Sequence, residues 1–137
     1  MCAALLKTGE SEPTGLLARF DRGFLKLTHA YMAGVRGIIL MQTSGFATLP
    51  NVLASLIVPY QIPLLMIISE RGTLGDHQLG QAIVCRTMRP VLQTLGIEHF
   101  AIERLEDVEF VVDSMAKQAY ATQAPAAMIL SPLLTKK

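Results

Sequence analysis

Cysteine is nearly absent from this chain: Cys2 and Cys85 are the only two, in no C-x-x-C or Cys/His spacing. Two such residues make neither a disulfide framework nor a readable zinc site. Cys85 reads as a small buried apolar residue or an inert thiol, and a reducing cytoplasm is the compartment that fits. An excess of either charge is lacking as well. Twelve basic residues face eleven acidic ones, a formal net charge of +1, and no basic stripe occurs. That argues against a nucleic-acid partner bound through a phosphate-neutralising face. Long hydrophobic runs are missing despite a mean hydropathy of +0.41. The longest, Gly37 to Met41 and Leu64 to Ile68, fall far short of the ~20 residues of a membrane span. The apolar run near Met1 is cut off by Lys7, too short for the ~7–15 residue core of a secretory signal. Neither G-x-G-x-x-G nor G-x-x-x-x-G-K-[ST] occurs, so the common phosphate cradles are excluded. No Ser/His/Asp order or paired-carboxylate spacing supports hydrolase chemistry.

What the chain does have is apolar material, 51% hydrophobic against 17% charged, which excludes disorder as its main state. At 137 residues it makes one domain. Residues 1–15 read as a flexible lead-in, because 7–15 (KTGESEPTG) are rich in Gly, Glu, Ser and Pro. The domain then runs over 16–134. Leu16 to Phe20 suits a short strand, and the spacing of Phe24, Leu27 and Tyr31 predicts a helix over 21–33 that ends at Gly34. Gly37 to Thr43 is a continuous apolar run of the kind a strand buried on both faces shows. Thr48 to Tyr60 reads as a helix with Thr48 as N-cap and Pro50 early, where proline is tolerated. Pro63 to Ser69 repeats the buried-strand pattern, and Glu70 to Asp76 is a loop.

A helical pattern covers 77–95, closed by Gly96 and interrupted, or restarted, at Pro90. Glu98 to Glu103 is a third strand candidate. Leu105 to Gln123 is an amphipathic helix with Val108, Val111, Val112, Met115, Ala116 and Ala119 on one side, and Ala126 to Ser131 is a further strand. Strands alternating with helices predict a three-layer α/β/α domain around a mainly parallel sheet. Hydrophobic chains of this kind cover both sheet faces or hide surface against a partner. Ligands of such sheets bind beyond the carboxyl ends of the strands. Two of those ends, Gln42 to Gly45 and Ser69 to Gly72, are the chemically dense places in the sequence.

Five ordered pieces carry a resemblance: Ala30 to Gly34 (AYMAG), Ile38 to Gly45 (IILMQTSG), Asn51, Leu53 to Leu56 (LASL) and Ile62 to Gly72 (IPLLMIISERG). Together they resemble the pyrimidine-binding domain of thiamine-diphosphate decarboxylases. The branch they resemble is the sulfopyruvate and phosphonopyruvate decarboxylases, in which this domain is often a separate alpha subunit. The resemblance covers residues 21 to 132; Gln81 to Gly96 and Pro125 to Ser131 agree in pattern with less specificity. It implies a cofactor lying between this chain and a pyrophosphate-binding (beta) subunit. That partner carries the G-D-G…N motif for magnesium and diphosphate, which this chain lacks. It also implies a small 2-oxo acid as substrate and a homo- or hetero-oligomer.

In that family a glutamate hydrogen-bonds the aminopyrimidine and favours the imino tautomer, which deprotonates the thiazolium carbon; the ring is then the electron sink as carbon dioxide leaves. Counting back ten residues from Tyr31, as the family spacing implies, lands on Asp21. Aspartate keeps the charge but is one methylene, about 1.5 Å, shorter, and it equally suits the first turn of a helix. Only twenty residues precede Asp21, whereas the family places a strand–helix unit and another strand there. The expectation is a domain truncated or rebuilt at its N-terminus. Thr43, Ser44 and Gly45 match the family's cofactor-facing loop, although an ordinary turn at a strand end also accounts for them. Asn51 matches the family's asparagine or is an amide near a helix cap. Glu70 stands where the branch often has an aromatic residue. Arg71 is a candidate for the substrate's anionic tail, or a surface arginine. His77 is a candidate to face the substrate, or a solvated residue at a helix start. The alternative function is a catalytically degenerate pyrimidine-domain protein acting as a binding or scaffold subunit; an unrelated α/β small-ligand protein is a third.

Overall fold

The apolar runs become the centre of a sheet in a computed structural model, which describes residues 3–7, 14–17, 28–76 and 78–135. Strands β1 (Ala3–Lys7) and β2 (Thr14–Leu17) form an antiparallel hairpin. A helical turn over residues 28–32 follows, then β3 (Arg36–Gln42). Past β3 come a short helix α2 (Thr43–Phe46) and a second helix that begins at Pro50–Val52 and continues as a π-helical turn through Leu53–Ile57. Strand β4 (Leu65–Ser69), helix α4 (Ala82–Thr94), strand β5 (Glu98–Ile102), helix α5 (Val108–Thr122) and strand β6 (Ala126–Leu130) complete the order. The helix starting at Pro50 is α3 and the turn over 28–32 is α1.

The strands lie in the order β2-β1-β3-β4-β6-β5. β3, β4, β6 and β5 run parallel to one another, and β1 is antiparallel to β3. Alternation along each strand sends two apolar sets to opposite faces. Ile39, Met41, Met66, Ile68, Ala127 and Ile129 meet Leu53 and Ile57 of α3 and Met88 and Leu92 of α4. Leu65, Ile102, Ala126 and Met128 meet Val111, Met115 and Ala119 of α5. Helices on both faces give the three-layer α/β/α arrangement that the apolar runs predict.

Several local expectations need correction. The segment read as a flexible lead-in contains β1 and the start of β2, which pair into the sheet. Their stretches of four and five residues carry no β-branched run to announce them. Thr48 is not an N-cap: its hydroxyl donates to the Gly45 carbonyl (2.8 Å), closing the α2 turn, and Leu49 precedes Pro50 at the start of α3. α4 runs unbroken through Pro90. A proline inside a helix costs ~3 kcal/mol, and burial of Met88 and Leu92 on either side of it holds the helix on the sheet regardless. The helix expected to end at Gly34 does so, with Gly34 at φ +79; its first part, residues 21–27, lies outside the described residues. Among the described residues no helix is long and apolar enough to cross a membrane.

Candidate functional site

The parallel register aligns the strand ends. Gln42 of β3 is paired with Ser69 of β4, and Ser69 with Leu130 of β6. The residues just beyond them, Thr43, Glu70 and Ser131, therefore stand side by side along one rim, spaced by the ~4.8 Å between strands. A cleft of about 340 Å³ opens there, lined by Ser69, Glu70, Arg71 and Asp76 from the β4 side and Ser131 and Pro132 from the β6 side. A larger groove of about 600 Å³ lies elsewhere, between α3 and α4, and its walls are mainly apolar, with Pro50, Ala54, Ile83, Pro90 and Val91 among them. The chemistry gathers at the rim, so the rim is the candidate site.

Each charge at the rim is held by another. Arg71 Nε donates to Asp76 Oδ2 (2.6 Å), and the Gly72 N–H donates to the same oxygen (2.9 Å). The Arg71 hydrogen bond, followed by the Gly72 amide, holds the Asp76 carboxyl below its ordinary range. Its stabilising effect is therefore fully present above the unfolded value of ~3.9 and lost as pH falls through the lower folded value. Asp76→Asn should remove this pH dependence, because the amide cannot hold the Arg71 charge and the loop is then already loosened at neutral pH, as in the parent once Asp76 is protonated. Hydrogen exchange of the Gly72 amide, followed from pH 6 down to pH 3, checks it; an identical pH profile in both proteins would remove Asp76 from this role.

Glu70 is almost fully buried and accepts from Arg89 of α4 through both Nε (3.1 Å) and Nη2 (2.7 Å). Close by, the Cys85 thiol is pushed up, first by burial and then by the Glu70 charge. A raised thiol in a buried setting is inert, as the sequence suggests. Ser131 is buried too, and its Oγ accepts from the Leu133 N–H (3.2 Å), folding the chain after β6 over the cleft.

Among the described residues, two buried polar atoms have no hydrogen-bond partner: Thr43 Oγ1 and Gln81 Oε1. An orphaned buried group of this kind costs ~1–3 kcal/mol. Thr43 is wholly buried at the end of β3, Gly45 beside it is buried, and Ser44 is partly so. Asn51 is exposed on α3. The structure thus brings Thr43 and Arg71 to the same rim, with Arg71 tied to Asp76, and sets Asn51 out in solvent. Asp21 and His77 lie outside the described residues. Reading the sequence alone misses Asp76, Arg89 and Gln81. An acid closing a loop that opens with Arg-Gly is the signal that marks Asp76; Arg89 and Gln81 carry none, because their roles depend on how α4 docks. Among the described residues no cluster of three or more His, Cys, Asp or Glu is placed to hold a metal ion.

No protein-family profile matches the chain, but curated proteins do. It is 32% identical over 115 residues to the protein of Methanocaldococcus jannaschii named sulfopyruvate decarboxylase subunit alpha, covering 84% of this chain and 68% of that one. A protein of the same name from Methanococcus maripaludis is 28% identical over 117 residues, with 85% and 70% covered. A third, from Methanothermobacter thermautotrophicus, is 42% identical over 81 residues, 59% of this chain and 49% of its own. The chain thus spans between half and seven-tenths of the length of these relatives. On that identity and coverage, and with an α/β/α fold whose conspicuous residues collect at one end of the strands, the chain belongs to the family of sulfopyruvate decarboxylase alpha subunits.

Proposed function

We propose that this chain supplies the pyrimidine-binding half of a thiamine-diphosphate-dependent 2-oxo acid decarboxylase, of the sulfopyruvate or phosphonopyruvate type, working against a pyrophosphate-binding beta subunit. The relatives' names, alpha subunits of a decarboxylase, support a subunit that needs a partner. The observation that carries the reading is the Thr43 hydroxyl, buried and unpaired at the rim, inside the IILMQTSG string. Because Thr43 is wholly buried in the chain by itself, the rim has to open for a ligand edge such as an aminopyrimidine to bond this hydroxyl. When bound, the cofactor supplies the electron sink for loss of carbon dioxide, with its magnesium held by the partner.

This chain's own residues then bind, orient and move one proton. Thr43 and Ser44 offer hydroxyls to the ligand edge, and Gly45, having no Cβ, allows the backbone close to it. Asp76 holds the Arg71 guanidinium by Nε, which fixes the plane on which an anionic tail is received. Asn51, exposed on α3, has the position of a residue that meets cofactor only once the partner is docked. Asp21 holds the proton at the ring nitrogen. Mixing the chain with its complementary subunit, magnesium and thiamine diphosphate should release carbon dioxide from sulfopyruvate or phosphonopyruvate; no turnover in the complete mixture rejects the proposal. Thr43→Val should stabilise the free chain by about 1 kcal/mol in urea, since an orphan hydroxyl is removed. In the assembled enzyme it should raise the cofactor concentration for half-maximal activity roughly tenfold. An unchanged cofactor requirement would take Thr43 out of the site.

One observation favours the second reading, a scaffold or binding subunit without catalysis: aspartate at position 21 where the resemblance implies glutamate. A shortfall of ~1 Å in a proton-transfer contact can cost on the order of a hundredfold in rate. Asp21→Glu in the assembled complex separates the readings, because a gain approaching that factor marks an impaired active site and indifference marks a scaffold.

A further inference from the structure

Among the described residues, strand β5 ends the sheet on its side. The Ser131 N–H donates to the Ile102 carbonyl (3.3 Å), so Glu98, Phe100 and Ile102 turn their backbone groups toward β6. By the alternation of a strand, His99 and Ala101 turn theirs outward, where among the described residues no strand meets them. Natural edges are blunted by proline, lysine or bulges, and residues 98–104 contain no proline or lysine. The backbone is extended beyond the strand at Arg104 too, at φ −130 and ψ 138. On the α5 face of this edge Phe100 is 52% exposed, about half of a large aromatic surface left open among the described residues.

We propose that this edge docks a second copy of the chain, β5 pairing antiparallel with β5 about a two-fold axis through Ala101, so that one sheet runs through both copies. Outward backbone groups can bond only outward groups, which excludes every register whose axis falls between residues. Among the remaining ones, the axis at Ala101 sets Glu98 opposite Arg104 of the second copy, His99 opposite Glu103, and Phe100 opposite Ile102, each twice by symmetry. Opposite charges then meet across the strands on one face, an imidazole meets a carboxylate on the other, and Phe100 gains an apolar cover. An axis at Phe100 would place Glu98 against Ile102 and Ile97 against Glu103; an axis at Ile102 would place Arg104 against Phe100. Neither pairs opposite charges. Arg104 now bonds Glu106, with both side chains more than half exposed, and such a pair is readily exchanged.

An edge of this length buries a small area, so the association is weak and depends on concentration. Sedimentation equilibrium of the chain should show a monomer–dimer equilibrium in the micromolar range or above, and the Ala101 amide should become more protected from exchange as concentration rises. Arg104→Glu, which sets a carboxylate against Glu98 at each end, should weaken the dimer about tenfold. The double variant Glu98→Arg/Arg104→Glu should restore it, and circular dichroism verifies that both variants fold. A monomer at every concentration up to the millimolar range overturns the proposal. So does a dimer that Arg104→Glu leaves as strong as before, or one that the double variant fails to rescue.

Discussion

Gly72→Ala is expected to cost about 2–6 kcal/mol of folding stability, summing a strained left-handed backbone and an overpacked contact. Gly72 lies at φ +80, and a Cβ there would come within 2.6 Å of the Ala82 backbone nitrogen and the Gln81 carbonyl carbon. These are backbone atoms at the start of α4, and no side-chain rotation relieves them. Either α4 shifts from the sheet or the loop shifts from α4. Because the Gly72 N–H also donates to Asp76, a loop shift loosens Asp76 and with it Arg71. The midpoint of urea unfolding reads the first effect and the exchange rate of the Gly72 amide reads the second. A midpoint within ~0.5 kcal/mol of the parent would show that this close approach does not constrain the loop.

Arg89→Met is expected to cost about 2–3 kcal/mol. Truncating one partner of a fully buried ion pair costs ~3–5 kcal/mol, and the 41% exposure of the Arg89 side chain lets water answer part of that. Glu70 would remain at 10% exposure with neither of the two N–H donors it now accepts from. The loss belongs to the abandoned carboxylate more than to the pair, so the double variant Glu70→Gln/Arg89→Met should recover more than half of it. Chemical denaturation of the single and double variants closes the cycle. A double variant no better than Arg89→Met would mean that the arginine's aliphatic packing, and not the stranded charge, sets the cost.

The elements most legible in the sequence are those whose residues have one environment only. Ile38 to Met41 and Leu65 to Ile68 are apolar on both sides because both sides are covered, and the run alone says so. Val111, Met115 and Ala119 return at helical spacing for the same reason. Legibility fails where a local preference is overruled by docking. Pro90 should break a helix, and buried neighbours keep it intact. Thr48 has the chemistry of a helix start, and the turn ahead of it takes its hydroxyl. The rim itself is readable, since strand order places ligands beyond the carboxyl ends, and Thr43 and Arg71 are found there. What cannot be read is who holds whom: Arg71 with Asp76 is a matter of loop shape, and Glu70 with Arg89 joins residues nineteen positions apart that only the packing of α4 makes neighbours.

The central strand β4 is bonded on one side to β3, already made, and on the other to β6, which follows only after α4, β5 and α5. During synthesis its second side therefore stays open until α4, β5, α5 and β6 have left the ribosome. Such non-local pairing slows folding and leaves Leu65 to Ile68 a template for foreign strands meanwhile. Chaperone demand in a producing cell should thus track translation of the stretch between β4 and β6.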